Sequence, residues 1–119
     1  MNLLLEDFFP AVSFVQNSFT PQEKAEFTRA YSIKGATRAS FLWFVFGQDI
    51  KDNQEFTKNK LAMPVLAMGS DHFAPFLGDH VRLVASNVKV CTITGSGHWI
   101  LQEQPGQVQK GLLDFFMAK

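Results

Sequence analysis

A histidine in a glycine-rich turn is the residue of this chain best suited to carry chemistry. The run Gly95-Ser96-Gly97-His98-Trp99 follows a short apolar stretch and precedes a helical pattern. Open α/β sheets place functional groups on loops at the carboxyl ends of parallel strands, and small residues let the backbone turn tightly there. An imidazole in such a loop can act as a general base. A histidine in an ordinary surface turn is the alternative.

An acidic residue that could orient this histidine follows the preceding apolar run. Asp71 stands two residues after Gly69 and is either an acid partner or a loop or helix-capping aspartate. His72 and His80, taken with Asp71 and Asp79, have the side-chain types of metal ligands. Their spacing matches no standard metal site, so we expect no metal and no other cofactor.

Residues 61–119 alternate between strand and helix patterns. The continuous apolar run 64–68, ended by Gly69, is typical of a parallel strand covered on both faces. The stretch 88–94, closed by Gly95 and Gly97, is predicted to be a second strand. Helical patterns occupy 76–85 and 105–116, so the order strand, helix, strand, helix predicts an α/β fold with two parallel strands and a right-handed crossover. One stripe of the last helix is apolar: Val108, Leu112, Phe115 and Phe116.

Residues 1–60 are predicted to be mainly helical. Thr20, Pro21 and Glu23 form the pattern of a capping box with proline at the first helical position, which predicts a helix over 20–30. A further helix is predicted over 36–46. Its part 39–46 is apolar nearly all round and is expected to be buried on more than one side. The polar stretch 48–60 predicts a loop with a short helix.

The aromatic composition calls for covered apolar surface. The chain has 13 Phe against 1 Tyr and 2 Trp. Phenylalanine has no polar tip, so this content predicts a core, an interface or an apolar pocket.

Charge and cysteine content narrow the partners and the compartment. Lys plus Arg and Asp plus Glu number 11 each, so the basic footprint of a nucleic-acid-binding protein is missing. The single cysteine, Cys91, cannot form an internal disulfide and is expected to be a buried, inert thiol in a cytoplasmic protein. The first nine residues carry no Lys or Arg and make a poor signal peptide, and no stretch approaches a membrane span.

Two motifs together resemble the α/β-hydrolases. The run 60–69, K-L-A-M-P-V-L-A-M-G, is similar to the approach to the penultimate strand of that family. The run 95–99 with Glu103 and Pro105 resembles the G-S-G-H-W-x-x-x-E-x-P signature around the family's catalytic histidine. The resemblance points to the branch of epoxide hydrolases and haloalkane or haloacetate dehalogenases. It implies that His98 is the family histidine and that Asp71 is a candidate for its acid.

The resemblance continues upstream into the family's lid. Tyr31, Gly35 and Arg38 lie in a pattern similar to the end of the lid domain. In epoxide hydrolases a tyrosine at the end of this pattern donates a hydrogen bond to the epoxide oxygen, and Phe44, which cannot donate, takes its place here. The chain is therefore expected to be one truncated domain, with lid-like helices over 1–60 and core elements over 61–119.

The nucleophile of the family is missing from these residues. No G-x-S-x-G elbow or aspartate equivalent occurs in the chain. We expect a hydrolase-like chain without independent activity that self-associates, most simply as a dimer, to cover apolar faces and strand edges.

Two alternatives to this expectation stay open. The first is a hydrolase completed by another chain, or one that uses Ser96 or Cys91 as an improvised nucleophile. The second is a module that binds a small apolar ligand in a pocket. The residues predicted to line that pocket are Phe41, Trp43, Phe44, Phe73, Phe76 and Trp99.

Overall fold

The computed structural model describes residues 3–42 and 44–118, so Trp43 of the predicted pocket lies outside the described residues. Helices occupy the first half and a strand–helix–strand–helix unit the second, as predicted. In chain order, the elements are a π-helical segment Leu3–Phe8, α1 Phe9–Ala11, α2 Pro21–Ser32, α3 Ala36–Leu42, α4 Gly47–Phe56, β1 Leu61–Ser70, α5 Ala74–Arg82, β2 Ala85–Ile93, α6 Ile100–Glu103 and α7 Pro105–Phe116.

The two strands form a parallel pair, which confirms the predicted α/β class. They are in register from Val65 opposite Val88 to Ser70 opposite Ile93. The register shifts before Pro64, which has no N–H to donate to a neighbouring strand. Ala85, predicted as the end of a helix, is instead the first residue of β2 and pairs with Leu61, the first residue of β1.

Helices cover both faces of this pair. Consecutive side chains of a strand point to opposite faces, so Val90 and Cys91 face opposite layers. Gly78 of α5 lies so close to Val90 that an added Cβ would come within 2.6 Å of Cγ2. Gly111 of α7 approaches Met68 and Cys91 in the same manner. The small fully covered core of this unit consists of Ala67, Ala74, Ala85, Ile93 and Val108.

The predicted apolar stripe of α7 is only partly correct. Val108 is buried and Phe115 is half-buried, but Leu112 and Phe116 are exposed. The close approach at Gly111 sets which side of α7 meets the sheet, and this side runs through Val108, Gly111 and Phe115.

The predicted burial of residues 39–46 is wrong for the described residues. Helix α3 ends at Leu42, its main neighbour is α2, and none of its residues is buried. Phe41 and Phe44 are 69% and 71% exposed, because no other described element covers this side of the chain. We call the exposed residues of this segment the α3–α4 apolar face: Phe41, Leu42, Phe44, Val45, Phe46 and Ile50.

The whole chain is more open than a self-contained domain of its length. Its Cα radius of gyration is 16.7 Å, whereas a compact domain of this size has about 13–14 Å. Its accessible surface is 8930 Å², against roughly 6,500 Å² for a folded monomer of this mass. None of the helices within residues 3–42 and 44–118 has the length and apolar character needed to cross a bilayer.

Candidate functional site

The loop after β2, residues 94–99, is called the histidine loop below. It holds His98 by its backbone while leaving the imidazole ring accessible. Three consecutive peptide N–H groups are bound. Those of Gly97 and Trp99 donate to the Glu103 carboxylate at 3.1 Å, and that of His98 donates to the Val12 carbonyl at 2.9 Å. The backbone on either side of the imidazole is therefore fixed.

Glu103, the last residue of α6, is the centre of this arrangement. Its side chain is buried, with the residue only 7% exposed. One carboxylate oxygen also accepts the N–H groups of Phe14 and Val15, each at 2.7 Å. Burial alone raises the pKa of this carboxyl, but the backbone N–H bonds from Val15, Gly97, Trp99 and Phe14 outweigh it and lower the pKa below its usual value. Glu103 is thus held as the anion.

Residues 12–15, called the strap below, lie directly against the histidine loop. A Cβ added to Gly97 would come within 2.5 Å of the Val12 carbonyl oxygen and 2.7 Å of the Phe14 nitrogen. Only glycine fits between the strap and the loop at this point. Contacts between residues more than 80 positions apart in the chain therefore complete the loop.

An aromatic cluster supports the other side of the loop. The Trp99 ring packs on Phe9 and Phe19, with ring centroids 4.4 and 5.4 Å apart, and Phe27 of α2 joins them through Phe9. The indole N–H of Trp99 donates to the Phe9 carbonyl at 3.1 Å. The cluster fixes Trp99, and with it one neighbour of the His98 ring.

The imidazole of His98 lies at the edge of two open cavities. The residue is exposed, and its ring meets the Trp99 ring edge-on at a centroid distance of 4.7 Å. One cavity, of about 370 Å³, lies toward α5 and is lined by Phe73, Phe76 and His80 among others. The second, of about 340 Å³, is bounded by the strap and His72. A small substrate in either cavity would have access to the ring.

Asp71 lies beside this loop, as its position after β1 predicted. Its carboxylate accepts the N–H of Gly95 at 3.2 Å. Among the described residues, no hydrogen bond joins it to the His98 imidazole. In this structure Asp71 stabilises the start of the histidine loop, and its role as an acid partner stays a prediction.

The residues of the predicted apolar pocket are divided between two places. Phe41, Phe44 and Trp99 line a cavity of about 540 Å³ together with Phe8 and Tyr31. Phe73 and Phe76 instead line the cavity of about 370 Å³ between His98 and α5. The structure therefore keeps Trp99 with the lid-like residues Phe41 and Phe44 and separates Phe73 and Phe76 from them.

Ser96 and Cys91, the two residues considered as substitute nucleophiles, have different surroundings. The Ser96 hydroxyl is buried and donates to the Ile93 carbonyl at 3.0 Å. Cys91 is a free, half-buried thiol on the face of the sheet that α7 covers. Neither arrangement presents a nucleophile to the His98 ring. Over the described ranges, no group of three or more His, Cys, Asp or Glu side chains is placed to hold a metal ion.

Sequence reasoning recognised Glu103 as part of the histidine motif but missed the contribution of the strap. Glu103 had a signal, since it stands five residues after His98 in the motif. The strap had none, because its backbone carbonyl and N–H groups make the contacts and any sequence could supply those.

Comparisons with known proteins show which chains this one is similar to. No family model matches the chain. The chain is 29% identical over 119 residues to "Soluble epoxide hydrolase" of Corynebacterium sp. (strain C12), covering 98% of this chain and 42% of that protein.

Two solved structures are also similar. The wild-type Cfl2 structure from Burkholderia cenocepacia superimposes with a TM-score of 0.81 at 29% identity, over 95% of this chain and 40% of that one. The structure of epoxide hydrolase CorEH without ligand gives a TM-score of 0.78 at 28% identity, over 97% and 42%. The chain spans about two-fifths of the length of these relatives.

Proposed function

Because the chain belongs to the α/β-hydrolases and is related to their epoxide hydrolases, we propose that it supplies the histidine side of a hydrolase site and hydrolyses nothing by itself. The observation that carries this proposal is that the backbone N–H groups of residues 97–99 are all hydrogen-bonded while the His98 residue is exposed. That arrangement suits a general base, which must be held in place while its ring stays accessible to a reacting group.

A base contributes little when it has nothing to activate. The family's nucleophile sits on a sharp strand-to-helix elbow, and no such run occurs in these 119 residues. The Ser96 hydroxyl is already bound to the Ile93 carbonyl, away from the ring. The site as it stands therefore holds a base and an open cavity without the attacking group.

Turnover by the purified chain tests this proposal. We expect no hydrolysis of aryl epoxides or aryl esters above the buffer rate, and the same background for His98→Ala. His80→Ala is the matched control, because His80 lines the same cavity on the α5 side. Turnover that His98→Ala abolishes and His80→Ala retains would show an active enzyme and refute the proposal.

Self-association is the second part of the proposal, and the surface area supports it. The chain exposes roughly 2,400 Å² more than a compact monomer of its mass. Obligate homodimers bury about 1,000–2,500 Å² on each partner, so a second copy can cover an excess of this size. We expect a dimer or a larger species in sedimentation velocity at micromolar concentration, and a folded, monodisperse monomer would contradict this.

A small-molecule-binding function is the alternative, and one cavity favours it. The cavity lined by Phe8, Phe41, Phe44 and Trp99 has about 540 Å³, within the range of roughly 300–1,000 Å³ of typical ligand pockets. A thermal-shift panel of apolar compounds should then raise the melting temperature, and Phe44→Ala should reduce the shift while Phe56→Ala retains it. A flat response across the panel would count against this function.

A further inference from the structure

The peptides that flank His98 depend on one buried carboxylate. Gly97 and Trp99, immediately before and after the histidine, both donate their N–H groups to Glu103. The same carboxylate accepts two N–H groups of the strap. The strap in turn accepts the N–H of His98 through the Val12 carbonyl. All three N–H groups of residues 97–99 are therefore bound by Glu103 or by the strap that Glu103 holds.

We propose that Glu103 is the positioning residue of His98, fixing the peptides on both sides of the histidine and fastening the strap that binds the histidine's own N–H. The inference rests on the proposed role of His98 as the base. It concerns where the ring stands, and it does not require the chain to turn over any substrate.

The strap gives the carboxylate a second effect on the site. Val12, Ser13 and Phe14 form one wall of the smaller cavity at the His98 ring. Releasing Phe14 and Val15 from Glu103 would leave this wall held only at its Val12 end, by the bonds of the Val12 and Ser13 N–H groups to Phe8 and Pro10, and would loosen the partner of the His98 N–H. Loss of the carboxylate should therefore change both the orientation of the imidazole and the width of the cavity.

The N–H bonds of residues 14, 15, 97 and 99 to the Glu103 carboxylate are called the clamp below. Their chemistry predicts how substitutions at Glu103 behave. Four N–H donors converge on two carboxylate oxygens, which a carboxylate can satisfy because it only accepts. In Glu103→Gln one oxygen becomes an NH₂ group that faces donors, so part of the clamp must open. Glu103→Asp keeps the charge and both acceptors on a shorter arm, so it should retain part of the clamp.

The Trp99 ring provides a way to observe the position of His98. The two rings meet edge-on at a centroid distance of 4.7 Å. The NMR signals of the imidazole C–H groups therefore depend on the ring current of the indole. Of the other two histidines, His80 packs on Phe76 and gives an internal reference signal in the same spectrum, whereas His72 lines the cavity that the strap bounds.

The experiment follows the two imidazole C–H signals of each of the three histidines in the folded chain and its variants. We expect Glu103→Gln to displace or broaden the His98 signals while those of His80 keep their place. Glu103→Asp should recover the wild-type position in part. Glu26→Gln, the same change at an exposed carboxylate on α2, should leave all three pairs in place.

A control variant must show that a loss of stability by itself does not move the His98 signals. Leu66→Ala removes part of a half-buried side chain in the middle of β1 and should lower the melting temperature without moving the His98 signals. If Glu103→Gln only lowers the melting temperature and the His98 signals stay where they are, Glu103 is a structural residue and the inference is wrong.

Gly97→Ala asks the same question without changing the carboxylate. Its new Cβ would collide with the Val12 carbonyl and the Phe14 nitrogen, so it should push the strap from the loop and displace the His98 signals. Unchanged signals in folded Gly97→Ala would also overturn the inference. Turnover by the wild-type chain would refute the proposed function and leave this outcome unaffected, so the two failures are distinguishable.

Discussion

The histidine loop and the helices α3 and α4 differ in how completely each is covered. Around the loop, the buried Glu103 carboxylate and the N–H groups of residues 97–99 all have partners. Helices α3 and α4 contain no buried residue, and the α3–α4 apolar face is more than half exposed. One region is complete within the described chain, and the other presents a surface without a partner.

The difference teaches where the determinants of the site lie. The backbone position of His98 is set by contacts of the loop with α6 and the strap, both of which belong to this chain. The cavity at the α3–α4 apolar face has walls of aromatic side chains but stays open on one side. We therefore expect substitutions near the loop to cost stability and substitutions on α3 and α4 to cost little.

An isoleucine-to-alanine pair gives the largest contrast between the two regions. Ile93 is fully buried at the end of β2, whereas Ile50 of α4 is 55% exposed. Ile93→Ala should lower the free energy of unfolding by about 3 kcal/mol, because it leaves a cavity beneath the histidine loop. Ile50→Ala should change it by less than about 0.5 kcal/mol. Urea denaturation measures both, and equal losses would contradict the comparison.

A pair of glycine-to-alanine substitutions should give a smaller contrast, in which the variant in the covered region loses stability and the variant on α4 does not. Gly78→Ala brings a Cβ to 2.6 Å from Cγ2 of Val90, a β-branched side chain that cannot easily turn away. After the gain in helix propensity, we expect a net loss of about 1–2 kcal/mol. Gly47, the first residue of α4, has no atom within 4 Å of an added Cβ.

Gly47→Ala should therefore be neutral or stabilising by up to about 1 kcal/mol. Thermal unfolding of the two variants side by side measures the difference. A destabilising Gly47→Ala would mean that α4 is packed more closely than the structure shows.

The sequence predicted those elements whose signals are local. The capping box at Thr20 and Glu23 located the start of α2, and the bounds of α7 follow the proline and the helical period from 105 to 116. The continuous apolar run 64–68 predicted β1, because helices cover both faces of the pair, and the stretch 88–94 before Gly95 predicted β2. The histidine loop was recognisable because its motif is contiguous.

Features that depend on distant contacts were not predictable. The burial expected for 39–46 failed because an apolar pattern specifies a surface that needs a partner, and does not say where that partner is. The strap bonds through backbone groups, and such contacts leave no mark on residue type. The α7 stripe was misplaced because the close approach at Gly111 decides the contact face.

The smallest expected effect tests whether α2 belongs to the covered region. The Thr20 hydroxyl accepts the N–H of Glu23 at 3.2 Å, and the Glu23 carboxylate accepts the N–H of Thr20 at 2.8 Å. Thr20→Ala should cost about 1 kcal/mol through loss of this cap. Thr28→Ala in the same helix is the control, because its exposed hydroxyl bonds only to the Lys24 carbonyl and alanine is the better helix former.

The contact that decides the outcome is Phe27 of α2, which packs on Phe9 at a centroid distance of 5.2 Å and so joins the Trp99 cluster. Because of this contact, we expect Thr20→Ala to lower the midpoint of global unfolding, measured by tryptophan fluorescence. If only the far-UV helical signal falls while the fluorescence midpoint stays, α2 unfolds independently. It would then belong with α3 and α4, and the boundary of the covered region would lie at the strap.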